Sequence, residues 1–167
     1  VPDHLNHRLQ LALTLMAQDR LEEAVTELET VVGLPWKRPG DPVYADIATT
    51  HAITTMKNHY RDDNSAYHVI DYHPETGEIE NRHTHQGFAH ESAWSRGQAW
   101  GLYGYTMAYR ETKNQDFLDQ AEKIAAFIFN HPNLPEDLVP FWDYNAPNIP
   151  DEPRDVSAAA ITASALL

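Results

Sequence analysis

Residues 92–130, SAWSRGQAWGLYGYTMAYRETKNQDFLDQAEKIAAFIFN, decide the fold class. Ser92 can cap a helix running to about Thr112, since a hydroxyl at that place accepts an orphan N–H of the first turn. A second helix runs from about Gln115 to Asn130. Upstream, Val43 to about Tyr60 sets Ile47, Ala48, His51, Ala52 and Met56 at helical intervals. Downstream, residues 131–153 form a proline-rich loop holding Phe141, Trp142, Asp143 and Tyr144, after which Asp155 or Ser157 opens a last apolar helix reaching Leu167. One stretch departs from this pattern. Tyr67–Tyr72 alternates and is rich in β-formers, Pro74-Glu75-Thr76-Gly77 is a turn, and Glu78–Asn81 returns as a second short strand. Two strands make a hairpin and not a core-bearing sheet. The expectation is an all-α protein of helical hairpins with one short β-hairpin.

Every Phe, Tyr and Trp lies from Trp36 onward, so residues 1–35 form a compositional unit of their own. Leu5, Leu9, Ala12, Leu13 and Met16, then Leu21, Ala24, Val25, Leu28 and Val32, follow helical spacing on two short amphipathic helices. The join at Ala17-Gln18-Asp19-Arg20 makes them a hairpin that resembles one tetratricopeptide-type unit, which cannot bury its apolar face alone. Pro35–Pro42 (PWKRPGDP) is the break, giving an expected division into a hairpin over 1–38 and a second domain over 39–167.

The chain has 167 residues, with 12 Lys and Arg against 25 Asp and Glu and a formal charge of −13. That balance argues against nucleic acid and against anionic membranes as partners, because both need clustered cations. Hydrophobic residues at 42% are enough for a packed core. With no Cys, disulfides, thiolate zinc sites and cysteine nucleophiles are excluded. No apolar run approaches the ~18 residues of a membrane span. Val1-Pro2-Asp3-His4 shows no charged segment leading into an apolar one, so no signal peptide is visible and a cytoplasmic location is the expectation.

The densest functional composition is residues 83–105, HTHQGFAHESAWSRGQAWGLYGY. Trp94, Arg96, Gln98, Trp100, Tyr103 and Tyr105 crowd one loop-to-helix segment, and Arg96 and Trp100 share a helix face. Gly97, Gly101 and Gly104 weaken the helix by up to ~1 kcal/mol each, a cost tolerated where a backbone or a ligand comes close. An Arg with flanking Trp and a Gln amide is what a carboxylated sugar requires: a charged partner, a stacking face and hydrogen bonds for hydroxyls. The same pattern also reads as a core helix with small residues for close packing. His83-Thr84-His85 with His90 invites a metal reading, but His90-Glu91 lacks the second His of a zinc motif, having Trp94 in its place. No G-x-S-x-G and no phosphate-cradling glycine loop occurs. His68, alone in its strand, reads as a half-buried, satisfied histidine. Asp71, Glu91, Asp143 and Asp155 lie near aromatics or at helix starts, where an acid can be tuned for proton transfer or can simply cap.

Six strings carry a family resemblance: HAITTMKNHYR (51–61), SAYHVIDYHPETGE (65–78), THQGFAHESAWSRGQAWGLYGY (84–105), YRETKNQDFLDQAEKIAAFI (109–128), NHPNLPEDLVPFWD (130–143) and RDVSAAAITASALL (154–167). In order and spacing this stretch resembles glycoside hydrolase family 88, the unsaturated glucuronyl hydrolases. The sister family acting on unsaturated rhamnogalacturonan fits less well, favouring R-G-N-G-W over Arg96-Gly97-Gln98-Ala99-Trp100. The resemblance implies an α/α six-hairpin barrel, present here in part, and a partner that is an oligosaccharide ending in an unsaturated uronic acid. It implies hydration of the C4=C5 bond: an Asp protonates C4, water adds at C5, and the hemiketal collapses. It implies no cofactor and no metal. Matched residue by residue, His68, Gln86, Trp94, Arg96 and Trp100 fall on sugar-lining positions. Arg96 would meet the uronate or a sulfate, Trp94 and Trp100 would stack, and His68 and Gln86 would hold polar groups.

The family's two important aspartates lie upstream of the matching stretch, and the expected place of one falls on Ala24, within Glu22-Glu23-Ala24-Val25. The catalytic residues are therefore unassigned in this chain. A barrel of twelve helices of about 11 residues with loops of about 5 needs roughly 190 residues, and the match runs only over residues 41–167. The expectation is an incomplete or fused hydrolase of impaired activity. The alternative is a non-catalytic helical module that binds carbohydrate or protein, with residues 1–35 docking a protein partner. The charge of −13 opposes an anionic sugar at long range, so capture would rest on local cations such as Arg96. Protonating the ten His would cancel most of that charge and improve binding in acid, provided His68 is not buried and neutral.

Overall fold

The computed structural model describes residues 42–167; the expected hairpin over residues 1–35, the break at Pro35 and the place of Ala24 lie outside the described residues. The described elements are α1 (Pro42–His59), β1 (Val69–Tyr72), β2 (Ile79–His83), α2 (Ser95–Thr112), α3 (Gln115–Asn130) and α4 (Val156–Ala165). Helices dominate and the one sheet is a two-stranded hairpin, so the all-α expectation holds.

The hairpin pairs Val69 with His83, Ile70 with Arg82 and Asp71 with Asn81, and an irregularity then brings Tyr72 opposite Ile79. Gly77 takes the left-handed conformation at φ 72° that closes the turn, and its N–H donates to the His73 carbonyl at 2.8 Å. Strand β1 starts two residues later than the alternation suggests and ends at Tyr72 as expected, while β2 starts one residue later and runs two residues further, to His83. The residues before β1 are already committed elsewhere: the Tyr67 N–H donates to the His59 carbonyl (2.8 Å), and the Ala66 N–H donates to Gln98 Oε1 (2.8 Å).

Helix α2 begins at Ser95 and not at Ser92, which corrects the expected cap. Its N-cap position is Trp94, extended and without a side-chain cap bond. The preceding residues are held in strand-like bridges to the 141–144 loop, with the Ser95 N–H donating to the Trp142 carbonyl (3.2 Å) and Tyr144 N–H to the Ala93 carbonyl (3.0 Å). Ser92 is buried, and its hydroxyl donates to Asp143 Oδ2 at 2.7 Å. The helix ends at Lys113, left-handed at φ 58°, whose N–H returns to the Tyr109 carbonyl. Asn114 caps α3 by accepting the Asp116 N–H at 3.0 Å. Asp155 caps α4 by accepting the Ala158 N–H at 2.8 Å, as the sequence leads one to expect.

Helix α2 packs against both α3 and α4. Leu102, Tyr105, Phe117, Ala121, Ile124, Ile128 and Ala165 form the core, with Ala52, Ile53 and Met56 of α1 against it. Phe117 and Ile124 are completely excluded from solvent, each stabilising the fold by about 1.5–3 kcal/mol. Tyr105 donates its hydroxyl to the Ala52 carbonyl at 2.9 Å. The glycines of α2 divide by role. A Cβ on Gly101 would stand 2.4 Å from the Tyr60 hydroxyl and one on Gly97 would stand 3.1 Å from the Trp94 ring, whereas Gly104 has nothing within 4 Å. Close packing thus accounts for two of the three.

Candidate functional site

His68 lies in the bend that enters β1, with its Nδ1 2.9 Å from Thr84 Oγ1, 3.2 Å from the His85 amide and 3.3 Å from the Gln86 amide. Its ring rests on Trp94, centroids 4.5 Å apart and planes inclined by 36°. Trp94 is aimed this way because the residues around it are bridged to the 141–144 loop and Gly97 leaves room beneath its ring. Arg96 also lies over Trp94, its guanidinium carbon 5.7 Å from the ring centroid. His68, Trp94 and Arg96 are therefore contiguous. Gln86 joins them through its backbone, and its side chain is exposed. Trp100 follows Arg96 by one turn, 52% exposed, with its edge against Tyr103 at 5.8 Å.

Arg96 is not the lone cation that the composition suggests. Its Nε and Nη2 lie 3.1 and 2.9 Å from Asp155 Oδ2, and Asp155 is buried. The charge of Arg96 is thus balanced within the protein, and its remaining N–H groups make no hydrogen bond among the described residues. The Gln98 amide is likewise spent internally. It is buried, accepts the Ala66 N–H, and donates to the carbonyls of Ala66 and Trp94 at 3.3 Å each. Gln98 and Tyr105 belong to the scaffold, while Trp94, Arg96 and Trp100 keep exposed surface. The core-helix reading of residues 94–105 thus describes Gln98 and Tyr105, and the Gln98 amide is not free for a ligand.

Each carboxylate singled out by the sequence has a partner. Asp143 is fully buried and accepts the Phe88 N–H (2.9 Å), the Ser92 hydroxyl (2.7 Å) and the Asn145 N–H (2.8 Å). Those bonds fasten the 84–92 loop to the 141–146 loop. Asp71 Oδ2 lies 3.0 Å from His83 Nε2, and Glu91 is exposed and pairs with Arg61 at 3.4 Å. Burial lowers the His68 pKa, and the nearby His85 and His83 lower it further. His68 is half-buried, and this shift makes its ring harder to protonate than an ordinary histidine, which works against improved binding in acid at this residue.

His83 stands 4.9 Å from His85 and 6.2 Å from His90, ring to ring. Among the described residues no group of three or more His, Asp or Glu is placed to hold a metal ion. Two open hollows flank the hairpin. One of about 380 Å³ is lined by Asp71, Asn81, Arg82, His83 and His90. Another of about 460 Å³ lies beside Lys57, Arg61, Tyr67 and Arg82. Neither includes Trp94, Arg96 or Trp100, which occupy an open face. Sequence reasoning missed Thr84, Gln98's internal role and the second use of Asp155. Only the polar spacing of His83-Thr84-His85 hinted at the first.

No family model matches the chain. Among curated proteins, the unsaturated glucuronyl hydrolase of Formosa agariphila is 53% identical over 130 residues, covering 78% of this chain and 32% of the relative. That of Bacillus sp. strain GL1 is 40% identical over 131 residues, covering 78% and 34%. The chain thus spans about a third of the length of the curated relatives it matches. A solved unsaturated glucuronyl hydrolase specific for heparin superposes with a TM-score of 0.77 at 53% identity, over 86% of this chain and 38% of that one. Another solved relative, an Asp-to-Asn variant with dGlcA-Glc-Rha-Glc, superposes with a TM-score of 0.73 at 38% identity, over 86% and 37%. The helices and hairpin described above are therefore part of an α/α barrel, and over most of its length this chain belongs to glycoside hydrolase family 88, the unsaturated glucuronyl hydrolases.

Proposed function

We propose that His68, Gln86, Trp94, Arg96 and Trp100 form one wall of a site for the unsaturated uronyl end of oligosaccharides released by polysaccharide lyases. The observation that carries this reading is the contiguity of His68, Trp94 and Arg96 on an open face: an N-heterocycle, an indole and an oriented guanidinium in sequence. Trp94 and Trp100 offer stacking surface, and the outward N–H groups of Arg96 suit a carboxylate or sulfate oxygen. The bound dGlcA-ended oligosaccharide of a relative supports a ligand of this class.

Hydration of the C4=C5 bond needs an acid to protonate C4 and a water activated toward C5. The position that the family resemblance assigns to the acid is Ala24, which has no proton to give. Asp71, Asp143 and Asp155 are each held by protein donors. In this reading the 167-residue chain binds such sugars and hydrates them at close to the uncatalysed rate.

The test is tryptophan fluorescence titration with an unsaturated uronyl disaccharide, alongside loss of the ultraviolet absorbance of its double bond. Saturable quenching with a flat absorbance trace is expected. Arg96→Ala should weaken binding about 10- to 100-fold, the equivalent of one charge-assisted contact. Unchanged affinity in that variant overturns the assigned wall, and brisk absorbance loss overturns the argument from Ala24.

A further inference from the structure

His68 stands between donors and an open ring nitrogen. The backbone amides of His85 and Gln86, 3.2 and 3.3 Å from Nδ1, can only donate, so Nδ1 must turn its lone pair toward them. A proton on Nδ1 would set N–H against N–H. Thr84 Oγ1 accepts the Gly87 N–H at 2.8 Å, and since Nδ1 is an acceptor, their 2.9 Å contact takes the hydroxyl hydrogen of Thr84. The turn is built for this: a Cβ on Gly87 would stand 2.7 Å from that hydroxyl oxygen, and the next amide, Phe88, is pinned to Asp143. Nε2 of His68 has no hydrogen-bond partner among the described residues, and the ring face is covered by Trp94.

We infer that Thr84 is a positioning residue that acts with the backbone amides of His85 and Gln86 to hold His68 as the neutral imidazole with its hydrogen on Nε2, so that the site presents a fixed N–H donor and not a base. The ligand half of this inference rests on the sugar-site reading; the tautomer half does not. An N–H fixed in place fits an acceptor oxygen of the uronyl residue, whether carboxylate, hydroxyl or ring ether. The charged and titratable groups around the ring agree. His85 packs edge-on at 6.3 Å, and His83 beyond it is paired with Asp71. Arg96 approaches across Trp94 with its charge already met by Asp155. Burial and the two histidines all disfavour a second proton. The donor form is therefore favoured further into acid than it is for an exposed histidine.

Long-range 1H–15N correlation spectra of the 15N-histidine-labelled full chain read this directly, with His68 assigned by the signals lost in His68→Gln. The expected pattern is a pyridine-like Nδ1 and a pyrrole-like Nε2, with a titration midpoint below those of the exposed histidines. Thr84→Val removes one donor to Nδ1 and should raise that midpoint, with the two amides still holding the tautomer, and Thr84→Ser should restore the midpoint. A pyrrole-like Nδ1 in the unmodified chain overturns the lock, and a midpoint unchanged by Thr84→Val overturns Thr84's part in it. Saturating unsaturated uronyl disaccharide should shift the Nε2 proton and leave Nδ1 in place. A locked ring with no such shift overturns the sugar-donor role while sustaining Thr84's. A shift on a ring protonated at Nδ1 sustains the sugar site and overturns Thr84's.

Discussion

One carboxylate oxygen, Asp155 Oδ2, accepts both Nε and Nη2 of Arg96, at 3.1 and 2.9 Å. The other oxygen caps α4 through the Ala158 N–H. A helix start and the orientation of a candidate ligand-binding guanidinium thus depend on one buried side chain.

Asp155 should therefore be costly to replace. Asp155→Ala removes a cap, worth about 0.5–2 kcal/mol, and a buried partner of a half-exposed cation, so a total loss of about 2–4 kcal/mol is expected. Asp155→Asn keeps an oxygen for the cap and should lose about half as much. Urea midpoints of the two variants measure this, and equal losses would remove the dual role.

Gly101 and Gly104 of α2 should respond in opposite directions to the same substitution. Gly101→Ala drives a methyl against the Tyr60 hydroxyl, 2.4 Å away. Burial raises the pKa of that phenol, and its ring packs on Tyr105 at 5.7 Å, so it has little room to yield. A loss of about 1–3 kcal/mol follows. Gly104→Ala meets nothing and should gain about 0.5–1 kcal/mol from helix propensity. Denaturation midpoints shifting in the same direction would refute the packing account.

Acid should destabilise the fold in two stages. Burial lowers the pKa values of His59, His68 and His131 below the ordinary 6.5. The unfolded chain then takes up protons first, so stability is constant above about 6.5 and falls as pH drops below it. Asp137 is held low by the Val139 N–H and by Arg154, and Glu152 by the Trp142 indole N–H. Their contributions persist until the pH falls through their lowered values, below the ordinary 3.8 and 4.5. Thermal midpoints recorded against pH should decline first from neutrality and again in strong acid. A midpoint that stays level between pH 7 and 5 contradicts the histidine stage.

Much of the scaffold was legible because its signals are local. The α3 range, the turn at Gly77 and the Asp155 cap each depend on contacts within a few residues. The family was legible because the motifs at 51–61, 65–78 and 84–105 keep their order and spacing. Ser92 misled for a definite reason. It has the chemistry of a cap, but Asp143, 51 residues away, takes its hydroxyl, and the bridge between Trp94 and Asp143 delays the helix until Ser95.

Local propensity and periodicity alone determined that this chain makes helices around one hairpin, since caps, turns and apolar spacing act within one or two turns of backbone. The employment of each polar side chain was decided only in three dimensions. Arg96 meets an anion 59 residues away and Gln98 an amide 32 residues away. Such pairings depend on which groups are desolvated together, and that is settled when α2 packs against α4 and the loops close over its first turn.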